Sequence, residues 1–119
     1  MNSSQVLEMV VRAADSRRAN NIVALNMSKV SLIADYFAIM DASSPRQVQA
    51  IANAIIDEAK KHDVDVHDVE GMRTAKWVLI DLDGVIVHVF QSETRSFYNL
   101  EKLWSDAKRV DVTPWLTAD

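Results

Sequence analysis

The sequence predicts an α+β domain in which helices pack on a mixed, five-stranded sheet, with the elements in the order αββαβββα. Three observations support this prediction. Two short apolar runs follow one another early in the chain with no helix between them, and one well-capped helix comes next. Two further apolar runs then flank an Asp-Gly dipeptide, which is typical of a tight β-hairpin.

The first third of the chain predicts one helix and two strands. Over residues 4–18 the apolar side chains recur at helical spacing, after a serine (Ser3 or Ser4) that can cap the helix. This stripe consists of Val6, Met9, Val10, Ala13 and Ala14. The runs 22–25 and 34–40 are rich in aliphatic and aromatic residues, and we expect the first two strands there.

The central helix has the clearest signals in the sequence. Ser44 can cap it, Pro45 suits the first helical position, and Gln47 completes a capping box. Its apolar face consists of Val48, Ile51, Ala52, Ile55 and Ala59. The stretch 64–69 alternates apolar and charged residues, which predicts a short strand near a sheet edge.

The Asp83-Gly84 dipeptide predicts a hairpin with a type I′ turn. With these two residues in the turn, Trp77 pairs with Phe90 across the two strands, and side chains alternate between the faces. One face is entirely aliphatic and is predicted to be core: Val78, Ile80, Leu82, Val85, Val87 and Val89. The other face mixes aromatic, aliphatic and ionisable residues: Trp77, Leu79, Asp81, Ile86, His88 and Phe90.

This mixed face is too polar for a dry core and too apolar for a bare solvent face. Its composition is typical of a recognition surface, where aromatic anchors stand beside a few polar groups. The alternative is a two-sided sheet whose second face is covered by the first or the last helix. The pattern alone leaves both interpretations open.

The end of the chain predicts one more helix and a tail. The helical pattern covers residues 93–107, with an apolar side formed by Phe97, Leu100, Leu103, Trp104 and Ala107. The tail, 109–119, carries apolar residues that can pack against the rest of the domain: Val110, Val112, Trp115 and Leu116. We therefore expect a single domain over 1–108 followed by this tail, because 119 residues leave no room for a second domain.

The composition excludes several classes of protein. The chain has no cysteine, which excludes disulfides and thiolate metal sites and fits a reducing compartment. Its formal charge of −4 argues against strong direct binding to nucleic acid. No stretch approaches the roughly 18 apolar residues that a membrane span needs, and the charged N-terminal residues do not form a signal peptide. We expect a soluble protein of the cytoplasm.

The sequence predicts no catalytic residue, no metal ligand and no cofactor. Asp81 and Asp83 have the Asp-x-Asp spacing with which nucleotidyl-transferring enzymes hold Mg²⁺. No glycine-rich phosphate loop accompanies them, and Asp83 already has a structural role as the turn residue before Gly84. The three histidines lack the spacing of a zinc site. A metal-dependent nucleotidyltransferase that uses the two aspartates stays as the alternative function.

Six segments of the chain form a pattern when they are taken in order. They are Ser31-x-x-Ala34-Asp35-Tyr36-Phe37, Ser44-x-Arg46-Gln47-Val48-x-Ala50-Ile51-Ala52, Glu70-Gly71, Trp77-Val78-Leu79-Ile80-Asp81, Val87-His88-Val89-Phe90, and Arg95-x-x-Tyr98-x-Leu100-Glu101-x-Leu103-Trp104-x-Asp106-Ala107. This pattern resembles the ribosomal silencing factor (Iojap, RsfS) family, and the similarity extends from about residue 4 to residue 108.

The resemblance implies a fold like that of nucleotidyltransferases without their catalytic apparatus, and a protein that is not an enzyme. It implies that the protein binds the large ribosomal subunit through its fourteenth ribosomal protein. That contact blocks joining of the small subunit and represses translation under nutrient limitation. The family's contact surface corresponds here to Trp77, Leu79, Asp81, His88, Phe90 and Tyr98. A homodimer formed through the same face is an alternative use of this surface.

Overall fold

Residues 1–117, which the computed structural model describes, form a mixed sheet with helices on both faces. The helices are α1 (Ser3–Ser16), α2 (Pro45–Lys61), α3 (Ser92–Tyr98) and α4 (Leu100–Leu103). The strands are β1 (Asn20–Asn26), β2 (Tyr36–Ala42), β3 (Val66–Glu70), β4 (Trp77–Leu82), β5 (Val85–Gln91) and β6 (Lys108–Val110). A 3-10 turn covers Thr113–Trp115.

The strands lie in the order β3-β4-β5-β2-β1-β6. The central pair, β2 and β5, is parallel, and every other neighbouring pair is antiparallel. The predicted α+β class with a mixed sheet is therefore confirmed. The predicted edge position of the alternating segment is also confirmed, because β3 is the outermost strand beside β4.

The predicted number of five strands is wrong, because β6 adds a sixth at the edge beside β1. The segment Lys108–Val110 has no strand signal, since it is short and two of its three residues are charged. Its backbone pairing with β1 makes it a strand. The predicted start of the tail at residue 109 therefore falls inside β6.

The rest of the predicted tail packs near helix α1. Val112 is buried in the core, and Val110 and Trp115 are partly buried against it. The backbone N–H of Thr117 donates a hydrogen bond to Asp15 Oδ2 at 2.8 Å. Leu116 does not pack in this way and is 37% exposed. Residues 118 and 119 lie outside the described residues.

Both long helices begin at side-chain caps, although one cap differs from the expectation. Helix α1 is capped by Asn2 instead of a serine, and Asn2 and Gln5 form a capping box with hydrogen bonds of 2.8 and 3.0 Å. In α2, Ser44 accepts from the Gln47 N–H at 3.1 Å as predicted. The Gln47 side chain instead donates to the backbone oxygen of Arg17, which joins the start of α2 to the end of α1.

The predicted hairpin register is confirmed, with Trp77 opposite Phe90 and Asp81 opposite Ile86. All six residues of the aliphatic face are buried beneath α1 and α2. The turn is not type I′, because that turn needs a positive φ at both central residues and only Gly84, at 77°, has one. The Gly84 carbonyl instead accepts hydrogen bonds from the backbone N–H groups of Asp35 and Tyr36.

The last predicted helix is broken into two pieces at Asn99. This residue has φ 48° and ψ 61°, the left-handed conformation, and it separates α3 from α4. Because a left-handed residue interrupts the helical phase, the side chains before and after it do not form one buried stripe. Phe97 and Leu103, both predicted on the apolar side, are 81% and 70% exposed.

Gly71 is placed where the chain approaches β4 too closely for a side chain. Its φ is 87°, and a Cβ built there would lie 2.1 Å from the backbone oxygen of Trp77. We expect Gly71→Ala to lower the free energy of unfolding by roughly 2 kcal/mol, because it adds backbone strain and displaces the start of β4. Urea denaturation measures this loss.

A matched control comes from Ala75 in the same turn, which has φ 54°. Glycine tolerates this conformation, so Ala75→Gly should change the free energy of unfolding by less than about 1 kcal/mol. Equal effects of the two substitutions would contradict the assigned role of Gly71.

Candidate functional site

The second face of the sheet is covered only in part. Helices α3 and α4 and the β1–β2 connection pack on its middle, where a second apolar cluster is buried. The buried members are Leu25, Met27, Ala34, Phe37, Ile39, Phe90 and Leu100. The sheet is therefore two-sided around β2, while its β4 side stays open. The alternative of a covered second face therefore holds for the middle of this face, and the recognition surface stays a prediction for the open part.

The six predicted contact residues divide into an outer and an inner group. Trp77, Leu79 and Asp81 are half-buried on β4, and Tyr98 at the end of α3 is 52% exposed. His88 and Phe90 are buried on β5, with exposed fractions of 4% and 0%.

The family resemblance implies a contact surface that includes His88 and Phe90, but both of these side chains are buried. Strand β5 is an inner strand with β4 on one side and β2 on the other, and α3 packs against it. The side chains of His88 and Phe90 consequently lie beneath the outer group instead of beside it.

Trp77 stands at the centre of an aromatic cluster. Its ring centroid lies 4.8 Å from that of Tyr98 and 4.9 Å from that of Phe90. Phe97 extends the cluster outward, with an edge-to-face contact to Tyr98 at 5.1 Å. Contacts between aromatic rings contribute stability beyond that of the apolar area they bury. The contacts with Phe90 and Tyr98 therefore hold the partly exposed indole of Trp77 in place.

His88 lies beneath this cluster and forms a hydrogen bond with Trp77. The indole Nε1–H donates to His88 Nδ1 at 3.1 Å. Since Nδ1 accepts, the proton of the neutral imidazole is on Nε2, which has no hydrogen-bond partner among the described residues. Burial lowers the pKa of His88 from 6.5 to about 4, so the ring is neutral at pH 7.

Further apolar side chains are exposed near the aromatic cluster and at the β1–β2 connection. Phe97 on α3 belongs to the cluster, Leu103 on α4 is exposed, and the connection exposes Leu32 and Ile33. We define the Trp77 surface as the open second-face residues of the β4–β5 hairpin with their helical neighbours: Trp77, Leu79, Asp81, Ile86, Phe97, Tyr98 and Trp104. Sequence reasoning missed the exposure of Phe97 and Leu103. The signal that could have revealed it is Asn99, a residue type that tolerates the left-handed conformation.

An acidic edge lies next to the Trp77 surface. On β3, the exposed Asp68 pairs with Asp81, and the exposed Glu70 pairs with Leu79. Like charges directly opposite each other on a sheet oppose folding, so the Asp68–Asp81 pair does not help to hold the strands together. Its effect is to give this side of the surface a negative charge.

A buried polar network anchors the helical side of the surface. Arg95, on α3, donates to Asp41 Oδ2 at 2.8 Å and to the backbone oxygen of Asn21. The same guanidinium donates hydrogen bonds to both carboxylate oxygens of Glu101 on α4, at 3.2 and 3.3 Å. Ser92 donates to the other oxygen of Asp41 at 2.9 Å. Sequence reasoning did not find this network, because its members are far apart in the chain.

The structure does not assemble a metal centre around the Asp-x-Asp pair. Asp81 is half-buried on β4, and Asp83 is exposed in the turn. Across residues 1–117, no three or more His, Asp and Glu side chains are grouped so that they could hold a metal ion. Within the same residues, no helix is long and apolar enough to cross a membrane.

The fold is shared with two proteins of known structure. A crystal structure of a Bacillus halodurans protein matches with a TM-score of 0.82 and 42% identity, and the match covers 91% of this chain and 98% of that chain. A Chromobacterium violaceum crystal structure matches with a TM-score of 0.86 and 30% identity, over 88% of each chain. The protein is thus an α+β protein of the class that these two structures represent.

The family is shown by sequence. A family model described as "Ribosomal silencing factor during starvation" matches residues 1–119. Ribosomal silencing factor RsfS of Bacillus subtilis is 48% identical over 112 residues, which cover 94% of this chain and 95% of that protein. A more distant relative is "Mitochondrial assembly of ribosomal large subunit protein 1" of Mus musculus, 27% identical over 83% of this chain and 45% of its own length. The chain belongs to the ribosomal silencing factor family, a family of translation regulators rather than of enzymes.

Proposed function

We propose that this protein silences the ribosome by binding the large subunit in the cytoplasm. The Trp77 surface contacts the fourteenth large-subunit ribosomal protein, and the bound protein occupies space that the small subunit needs. Translation is thereby repressed under nutrient limitation. The mechanism requires no turnover, since exclusion depends only on occupancy.

The observation that carries this proposal is the exposed aromatic and aliphatic patch on the open side of the sheet. Phe97 and Tyr98 are largely exposed beside the half-buried Trp77. Contiguous exposed apolar side chains of this kind mark interaction sites, and aromatic residues are enriched at their energetic centres. Family membership and the large-subunit name of the mouse relative support a ribosomal occupant.

Charge complementarity supports a basic partner. The chain has a formal charge of −4, and the edge beside the surface carries Asp68, Glu70 and Asp81. Opposite charges accelerate encounter, and this acceleration falls as salt rises. Ribosomal proteins that contact RNA are basic, so we expect association with the large subunit to be faster at low ionic strength.

Sedimentation through a sucrose gradient tests the function. The purified protein is mixed with separated large subunits, and small subunits are then added. We expect comigration with the large subunit and fewer joined ribosomes than in the absence of the protein. Failure to comigrate at low and at moderate salt would contradict the proposal. Sedimentation equilibrium of the protein alone tests the alternative that a second copy covers the Trp77 surface.

Trp77→Ala is expected to weaken binding to the large subunit by about 2 kcal/mol or more, which is the usual scale for a central aromatic anchor. The substitution removes the indole that joins Tyr98 above to Phe90 and His88 below. Titration of labelled protein with large subunits measures the affinity.

Trp115→Ala is the matched control for this substitution. Trp115 packs with the core on the α1 side of the protein, away from the Trp77 surface. We expect the Trp115 variant to bind as the wild type does, provided both variants unfold cooperatively. Equal affinities of the Trp77 variant and the wild type would exclude the Trp77 surface as the binding site for the large subunit.

A further inference from the structure

The hydrogen bond between Trp77 and His88 joins the exposed surface to the buried layer beneath it. Trp77 is half-buried, whereas His88 is 4% exposed. The donor is the indole Nε1–H and the acceptor is His88 Nδ1, at 3.1 Å. The imidazole therefore cannot meet a partner that lies on the surface, but it does contact the side chain that can.

The His88 ring is held by aromatic neighbours. Phe37 makes an edge contact, with ring centroids 4.7 Å apart. Phe90 is nearly parallel to the imidazole, with an interplanar angle of 13° and centroids 6.2 Å apart. A side chain that is packed in this way presents Nδ1 in one direction. An acceptor fixed in space restricts the rotation of the indole that donates to it.

We propose that His88 is a positioning residue that orients the Trp77 indole for binding and does not itself contact the partner. This inference rests on the proposed function and deepens it. It also revises the role implied by the family resemblance, which places His88 in the contact surface.

The unpartnered nitrogen supports a role beyond packing. His88 Nε2 is buried with no hydrogen-bond partner among residues 1–117, and a buried unpaired donor opposes folding. An apolar residue would fill the same space without this cost. Because burial lowers the pKa of His88 to about 4, Nδ1 is free to accept at pH 7. The feature that histidine adds at this position is therefore the acceptor for Trp77.

Two variants separate orientation from packing. His88→Leu removes the acceptor and keeps an apolar side chain of similar size, whereas His88→Asn keeps an acceptor at the position of Nδ1. The Trp77 indole N–H signal is followed by NMR in the free protein, and Trp77→Phe identifies that signal by its loss.

The expected results in the free protein are specific. In His88→Leu the indole N–H should exchange with solvent about fivefold faster, the fold-change that corresponds to loss of one ordinary hydrogen bond. Its urea midpoint should be no lower than that of the wild type. In His88→Asn the exchange should be slower than in His88→Leu. An unchanged indole signal and exchange rate in His88→Leu would overturn the proposal.

Binding to purified large subunits supplies the second measurement. We expect His88→Leu to weaken binding about fivefold and His88→Asn to restore part of this loss. In the Trp77→Phe background, which lacks the indole N–H, His88→Leu should have little further effect. An equal loss in both backgrounds would show that His88 does not act through Trp77 and would overturn the proposal.

The two measurements distinguish the proposal from the function on which it rests. If the wild type does not bind large subunits, the proposed function fails and the binding role of His88 fails with it. The exchange measurement then still decides whether His88 orients Trp77. If the wild type binds and only the orientation results fail, the function stands and the positioning role does not.

Discussion

Replacing Arg95 with methionine is expected to lower the free energy of unfolding by roughly 3–5 kcal/mol, the range found when one partner of a buried ion pair is removed. The Arg95 side chain is 10% exposed and that of Asp41 is 5% exposed. After the substitution, the Asp41 carboxylate stays buried without its cation, which is the source of the loss. Urea denaturation at pH 7 measures it.

The same substitution also loosens the surface that we propose binds the ribosome. Arg95 is on α3, Glu101 is on α4, and Asp41 and Asn21 are on the two strands beneath. The guanidinium therefore fixes both sides of the break at Asn99 relative to the sheet. Since Phe97 and Tyr98 are on this helical segment, we expect weaker binding to large subunits even where the variant is folded.

The matched control is Arg12→Met on the surface of α1. Arg12 forms an ion pair with Glu8 at 2.9 Å, but the side chains of this pair are 55% and 42% exposed. Such exposed pairs contribute little, and we expect a loss of less than about 0.5 kcal/mol. If Arg95→Met lowers the free energy of unfolding by no more than Arg12→Met does, the buried network does not anchor the helical segment.

The parts of the fold that the sequence predicts well are those with local causes. The Asp83-Gly84 dipeptide fixes the hairpin loop at two residues, and the alternation of side chains then follows for both strands. Ser44 and Pro45 mark the start of α2 because a cap satisfies backbone N–H groups within one turn. These signals need no knowledge of distant residues.

The errors have causes that are not local. Alternation assigns His88 and Phe90 to the second face, but it does not tell how deeply that face is covered. Their burial depends on β2, which pairs with β5 in parallel from more than forty positions earlier in the chain, and on the packing of α3. Strand β6 exists because its backbone meets a free edge of β1, a condition that its own residues do not encode.

The candidate site likewise contains residues whose positions follow from local sequence and residues whose positions depend on distant parts of the chain. The aromatic and acidic residues of the hairpin, Trp77, Leu79 and Asp81, follow from its register. The Arg95 network does not, since Arg95 and Asp41 are separated by 54 positions in the chain. The family resemblance implies a contact surface as a whole, and the structure divides its residues into side chains that are exposed and side chains that are buried beneath them.

The stability of the protein is expected to fall by about 3 kcal/mol between pH 6.5 and pH 4 because of His88 alone. Burial lowers the pKa of His88 in the folded state to about 4, below its ordinary value of 6.5. Between these two pH values the unfolded chain binds a proton at this residue and the folded chain does not. Stability therefore rises with pH across the window and is lost as the pH falls through it. Urea denaturation at pH 7, 5.5 and 4.5 follows the change.

His88→Leu separates this effect from other titrating groups. The rings that contact His88 are those of Phe37, Trp77 and Phe90, which are uncharged, so burial accounts for the low pKa. Other groups of the chain titrate in both proteins, and their contributions cancel in the difference between wild type and variant. We expect the variant to gain stability relative to the wild type as the pH falls from 6.5 to 4. Parallel pH curves for the two proteins would mean that His88 takes up its proton as readily in the folded state as in the unfolded chain. Protonation would also remove the lone pair that accepts the Trp77 indole N–H, so the protection of that N–H against exchange, measured relative to free tryptophan at each pH, should decrease over the same pH range.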